Sequence, residues 1–282
     1  MSKSTFHTIG IGVTFSPNLK ANLYEAARLS LLFDSTLILI HVGSESEDKT
    51  TKFSEILAPF SEEGLSYTVV FQPGEPVSSI LQIVAQQKID LLILGALQRE
   101  NILNYYVGSI ARKITRKATC SILLLINPSI ERIPCTHIVV NGLSDEKTEH
   151  TIATAFSVGC AFESEKLTIV EEITQAEVAV NIEDDKSLRK ADLMKEKLRR
   201  REDSRIQQIL DQIPEAQRKK LSVKTQPIFG KRGYSIGHFA QVVRADLLVM
   251  NAPKKSGFFD RLFPHDMEHI LTELPTDVLI IQ

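Results

Sequence analysis

Cysteine is scarce in this chain: Cys120, Cys135 and Cys160 are scattered and odd in number. That argues against a disulfide framework or a thiolate metal site, and it fits a reducing compartment. Net charge is nearly absent. Lys and Arg number 33 against 35 Asp and Glu, a formal charge of −2. Without a global basic field, neither nucleic acid nor an anionic membrane is expected as a partner. Long apolar runs are missing as well, and stretches such as Ile122–Ile126 are far too short to span a bilayer. Met1–Thr8 lacks the apolar core of a signal peptide, so a cytoplasmic location is expected. What remains is ordinary globular usage, with 43% hydrophobic and 24% charged residues. At roughly 100–200 residues per domain, a chain of this length suggests two domains.

An internal repeat supports that count. Sliding the chain against itself by 156 residues aligns two long segments without a gap. Gly74 falls on Gly230, and Ser79-Ile80 on Ser235-Ile236. Asp90-Leu91-Leu92-Ile93-Leu94-Gly95-Ala96 falls on Asp246-Leu247-Leu248-Val249-Met250-Asn251-Ala252, and Ser121–Ile126 on Asp277–Gln282. So long a period means duplicated domains rather than a solenoid. Near their starts the halves match at a smaller offset, strand Ile9–Thr14 against His137–Asn141, so the second copy carries extra residues. The boundaries predicted are 1–128 and 135–282, with a helical insertion at about 184–220.

Each half reads as strands alternating with helices. The strands are short continuous apolar runs, the pattern of strands buried on both faces of a parallel sheet. The predicted fold is therefore α/β, with two doubly wound parallel five-stranded sheets in tandem. In such sheets a ligand sits beyond the carboxyl ends of the strands, at the topological switch point. That rule points to Val13–Ser16, Val42 and Leu94–Ser109, and in the second half to Val140–Ser144, Glu171 and Met250–His265. In the insertion, Leu188, Ala191, Leu198, Ile206, Ile209 and Ile213 sit at helical spacings, which predicts a long amphipathic helix. The charged run Arg199–Arg205 reads as a solvated face, or as a docking surface for an acidic partner.

The strongest local signal is Gly95, a twelve-residue loop, then Gly108-Ser109 opening a helix over Ile110–Lys117. A helix N-terminus presents free N–H groups and partial positive charge, which suits phosphate. Glycine allows close approach, and Arg99 in the loop can add charge. The plain alternative is a strand, loop and helix with Ser109 as the cap.

These residues resemble the universal stress protein family. In its nucleotide-binding branch the fourth strand ends in G-x-x-G-x9-G-[ST]. This chain has Gly95-Ala96-Leu97-Gln98, nine residues, then Gly108-Ser109, so Gln98 stands where the second glycine is expected. The family's first strand ends in V-D-x-S; here it reads Val13-Thr14-Phe15-Ser16, a hydroxyl replacing the carboxylate. His41-Val42 and Ala118-Thr119-Cys120-Ser121 also look like the family. The resemblance implies a Rossmann-like fold of the adenine-nucleotide alpha-hydrolase type, its two halves pseudo-two-fold related and paired through strands Ile122–Ile126 and Val278–Ile281. It implies a weak site for ATP or another adenine nucleotide in the first half. The phosphates would lie on the N–H groups of Gly108, Ser109 and Ile110 with Arg99 nearby, and the nucleoside near Thr14 and Val42. In the second half Met250-Asn251-Ala252-Pro253-Lys254 and Pro264-His265 replace the glycines, and Val140-Asn141 replaces the Val-Asp. Proline has no N–H to give, so no nucleotide is expected there.

Two enzyme-like patterns lack their context. Gly233-Tyr234-Ser235-Ile236-Gly237 spells G-x-S-x-G, but the preceding strand is expected to end near Gln226, too early for a nucleophile elbow. His265-Asp266-Met267-Glu268-His269 spells H-x-x-E-H with too few residues after it for a distant third ligand. No catalytic residue, metal or required cofactor is expected. The favoured function is a non-enzymatic stress-response or regulatory protein with an unidentified protein partner; a homodimer of tandem chains is left open. The alternatives are a pure interaction module without nucleotide, and a slow nucleotide hydrolase using Glu100.

Overall fold

The computed structural model describes residues 5–98, 105–178, 183–230, 234–252 and 270–282. In chain order the first half gives β1 (Thr8–Gly12), α1 (Leu19–Phe33), β2 (Thr36–His41), α2 (Glu47–Glu62), β3 (Tyr67–Phe71), α3 (Pro76–Gln86), β4 (Leu91–Gly95), β5 (Leu97–Gln98), β6 (Tyr105–Tyr106), α4 (Ser109–Lys117) and β7 (Ser121–Leu125). The second half gives β8 (His137–Asn141), α5 (Thr148–Phe162), β9 (Lys166–Thr174), α6 (Gln175–Val178), α7 (Asp185–Gln212), α8 (Glu215–Arg218), β10 (Ser222–Gly230), α9 (Tyr234–Val242), β11 (Leu247–Asn251) and β12 (Asp277–Ile281). The contacts divide the chain into two compact units, Met1–Pro134 with Leu271–Gln282, and Cys135–Ile270.

In the first unit the strands run β12-β7-β4-β1-β2-β3. β7, β4, β1, β2 and β3 run parallel to one another. β12 joins antiparallel to β7, with Val278 opposite Leu124 and Ile280 opposite Ile122. The second domain was expected to run to residue 282. Its last twelve residues instead group with the first unit, because β12 bonds along β7 and Asp277 accepts the Ile126 N–H at 2.8 Å. The second unit therefore keeps four parallel strands, β10-β9-β8-β11.

The apolar runs become strands because both sheet faces are covered. β7 and β8 are buried along their whole length, and β4 everywhere except Gly95. α1 turns Leu19, Leu23, Ala26, Ala27 and Phe33 inward, one helical stripe. It stops where Asp34 takes a left-handed conformation at φ 52°. The duplication is visible in one repeated contact. Asp90 accepts the N–H groups of His7 and Thr8 at the start of β1, and Asp246 those of Thr136 and His137 at the start of β8.

The insertion is mostly α7, capped by Asp184 and Ser187 in a reciprocal box. It buries Ala191, Leu198, Ile206 and Ile209 as their spacing requires, whereas Leu188 is exposed. The charged run is not uniformly solvated. Glu202 is buried and Arg205 half-buried, since both lie on the same face as Leu198 and Ile206. Among the described residues no helix is long and apolar enough to cross a membrane.

Candidate functional site

In the first unit β1 and β4 are neighbours, and the chain leaves them towards opposite edges of the sheet. The switch point lies between their carboxyl ends. Thr14 follows β1 and is exposed, Val42 follows β2 and is half-buried, and Gly95 ends β4 and is exposed. Gly108 is the N-cap of α4, with φ −61° and ψ 162°. The topology thus brings Thr14, Val42 and Gly95 to one edge of the sheet, with α4 starting from the loop after β4.

Ser109 is the first residue of α4 rather than its cap, and no side chain caps the helix. The N–H groups of Ser109, Ile110 and Ala111 lack helical partners, since the first intrahelical bond runs from Arg112 to the Gly108 carbonyl at 2.9 Å. Both Ser109 and Ile110 are exposed. The helix start is held from behind: the Val107 N–H and the Arg112 guanidinium both donate to the Leu271 carbonyl. Gly108's dihedral angles are open to any residue, so its value is the missing side chain. Between β4 and α4, Gln98 and Tyr105 pair in the small antiparallel ladder of β5 and β6. Arg99 and Glu100 lie outside the described residues.

Sequence reasoning missed Asn22, one turn into α1. Its amide lies 3.6 Å from where a Cβ on Gly95 would stand, and its Oδ1 is buried without a hydrogen-bond partner. It also missed Phe15, which stacks on Phe53 at 5.3 Å and meets His41 edge-on at 5.5 Å. The only signal for either was proximity to the strand ends. A cleft of about 500 Å³ lined by Phe15, Pro17, Tyr24 and Lys52 contains none of the predicted nucleotide residues.

The second unit repeats this edge with different chemistry. Ile9 opposes Leu91 as Ile138 opposes Leu247, so Asn141 corresponds to Gly12 and not to Thr14 as its dipeptide suggested. Asn141 is buried and accepts the Leu143 N–H at 2.9 Å. Asn251, at the place of Gly95, carries a side chain where glycine has none and donates to Thr148 Oγ1 at 3.0 Å. Pro253, Lys254, Pro264, His265 and His269 lie outside the described residues. Among the described residues no three His, Cys, Asp or Glu side chains are grouped to hold a metal. β10 runs to Gly230, further than Gln226, so strand length does not exclude an elbow. Helix position argues against one instead: Ser235 lies in the first turn of α9, packed so closely that a Cβ on Gly230 would stand 2.1 Å from its Oγ.

The profile of the Universal stress protein family matches residues 44–125, which run from the end of the β2 loop through β7. Residues 44–125 therefore carry a domain that matches the universal stress protein family. Universal stress protein MJ0531 of Methanocaldococcus jannaschii is 24% identical over 94 residues, covering 33% of this chain and 52% of that protein. The chain thus spans about half the length of the curated relative it matches. Two solved structures share the fold along nearly the whole chain. A universal stress protein from Archaeoglobus fulgidus DSM 4304 superposes with a TM-score of 0.66 at 13% identity, covering 99% of both chains. Protein PA1789 of Pseudomonas aeruginosa PAO1, described as functionally unknown, gives 0.71 at 16%, covering 99% and 94%. At such identities these likenesses speak for the α/β fold alone.

Proposed function

We propose that this chain is a non-enzymatic regulatory universal stress protein of the cytoplasm that binds one adenine nucleotide, weakly, in its first unit. The observation that carries the reading is the orphaned Asn22 Oδ1, buried beside Gly95 at the switch point. A buried acceptor without a partner is costly, and a sugar hydroxyl would satisfy it. The uncapped start of α4 supplies N–H groups for phosphate. In the second unit Asn251 carries a side chain at the corresponding place, which supports one nucleotide per chain. Weakness follows from Thr14: a hydroxyl there makes a neutral hydrogen bond, worth roughly half of one to a carboxylate.

Calorimetric titration with ATP, ADP and AMP tests the reading, beside Gly95→Asn and Gly108→Pro. Gly108 already has a φ that proline's ring permits, so its variant removes an N–H and adds bulk without forcing the backbone. Both variants should lose at least about tenfold in affinity, equivalent to 1.4 kcal/mol. Binding that survives both unchanged places the nucleotide elsewhere. No heat at millimolar nucleotide leaves the chain as an interaction module, a reading favoured by the exposed hydroxyl of Thr14 where the family has its carboxylate.

A further inference from the structure

Counting along β2 and β9 from their register with β1 and β8, Glu171 stands where the first unit has His41, and Glu172 where it has Val42. Both carboxylates are buried, Glu171 to 1% exposure. Glu172 is answered, accepting the Ile236 N–H at 2.8 Å. Glu171 is not: both of its oxygens are shielded from solvent without a hydrogen-bond partner. It lines a cleft of about 400 Å³ between the loop after β8 and helix α7.

The charges around that cleft favour one sign of ligand. Glu171, Glu172, Glu177 and Glu202 line it against only Arg201 and Arg205. Both guanidiniums are already engaged. Arg201 pairs with Glu177 at 3.0 Å and Glu202 at 2.8 Å. Arg205 pairs with Glu202 at 2.9 Å and donates to the Gly142 carbonyl. An anion would meet Glu171 unscreened, whereas a cation with N–H groups would supply the bonds that carboxylate lacks.

We propose that the second unit carries a separate site for a small organic cation, an amine or guanidine, with Glu171 as its anchoring carboxylate. The site uses none of the proposed nucleotide residues. Burial pushes Glu171 up to about 7, helped by Asp203 and Glu202 and opposed by Arg205. From α7, Arg201, Glu202, Asp203 and Arg205 face this region; from α6, Glu177; from its own strand, Glu172. The loop after β8 brings uncharged Gly142, Leu143 and Ser144, β10 sets Pro227 opposite, and α9 reaches Glu172 through the Ile236 N–H. A bound cation requires Glu171 ionised, so binding below neutrality must first release its proton.

The test is calorimetric titration of the full chain with spermidine and agmatine, and with 1,4-butanediol as the neutral control. Binding of at least one amine at pH 8, about tenfold weaker at pH 6, and no butanediol binding are expected. Glu171→Gln should lose at least about tenfold in affinity at pH 8. Its folding is checked by thermal unfolding. If it does not fold, Glu171→Asp retracts the charge by one methylene and should also weaken binding. No amine binding, binding independent of pH, or equal binding by a folded Glu171→Gln chain overturns the proposal.

Discussion

Glu171 is the residue at which stability and ligand chemistry meet. Its carboxyl is shifted from 4.5 to about 7, chiefly by burial. The folded chain therefore holds this proton more tightly than the unfolded one. The stability it contributes is fully present below about 4.5 and is lost as pH rises through about 7. Glu171→Gln should consequently flatten the pH dependence over that window and raise stability at pH 8, by on the order of 1–2 kcal/mol after solvent screening. Urea unfolding at pH 6 and pH 8 measures both effects; a variant less stable at pH 8 contradicts them. Burial likewise pushes the Cys120 thiol up to about 11, with the Asp90 charge adding to the shift. Its thiolate is scarce at pH 8, so Cys120 should resist iodoacetamide in the native chain and react once unfolded, as mass spectrometry of the labelled peptide would show. Sequence placed Glu171 at a strand end and named the repeated glycines. It did not reveal which polar atoms would be left without partners, because that depends on side chains brought in from distant elements.

At the scale of elements, the repeated aspartates explain part of the duplication. Asp90 and Asp246 each accept two N–H groups from the residues that start β1 or β8. Asp90→Ala and Asp246→Ala should each cost about 1–2 kcal/mol, and the double variant about their sum, because they serve different strands. Equilibrium denaturation of the three variants checks this, and a double variant far from the sum would show coupling. α7 shows how far periodicity reads. Its spacing identified Ala191, Leu198, Ile206 and Ile209 as the packed stripe, and Ile206 is fully buried. Ile206→Ala should cost about 2–4 kcal/mol. Its charged run looked solvent-facing because composition carries no direction. Glu202 turned inward because helical geometry carries it onto the stripe of Leu198 and Ile206, where Arg201 and Arg205 neutralise it.

At the scale of the molecule, the last strand decides the make-up of the first unit. β12 covers the apolar edge of β7, and Gln282 donates to the Ala118 carbonyl at 3.1 Å. Truncation after Ile270 would uncover the fully buried Ser121–Leu125 edge. An apolar strand edge recruits another chain. The truncated protein should therefore self-associate or precipitate more than the full chain under the same conditions, which size-exclusion chromatography with light scattering would show. A soluble truncated chain whose elution matches that expected for its length would contradict this.

Alternation of short apolar runs with helical segments was sufficient for the α/β class, since period and length are local properties of the chain. The match of Asp90–Ala96 with Asp246–Ala252 exposed the duplication, because the same strand with the same carboxylate clamp was kept in both halves. The family resemblance implied the pairing of Val278–Ile281 with Ile122–Ile126, and the antiparallel ladder of β12 on β7 bears it out. Tertiary structure alone decided the rest. The equivalence of Asn141 with Gly12 came from strand register, where a dipeptide match had misled by two residues. The Asn22 amide beside Gly95, the Asn251–Thr148 contact at the equivalent place and the unanswered carboxylate of Glu171 are properties of packing, fixed only when helices and strands far apart in sequence close around the same few atoms.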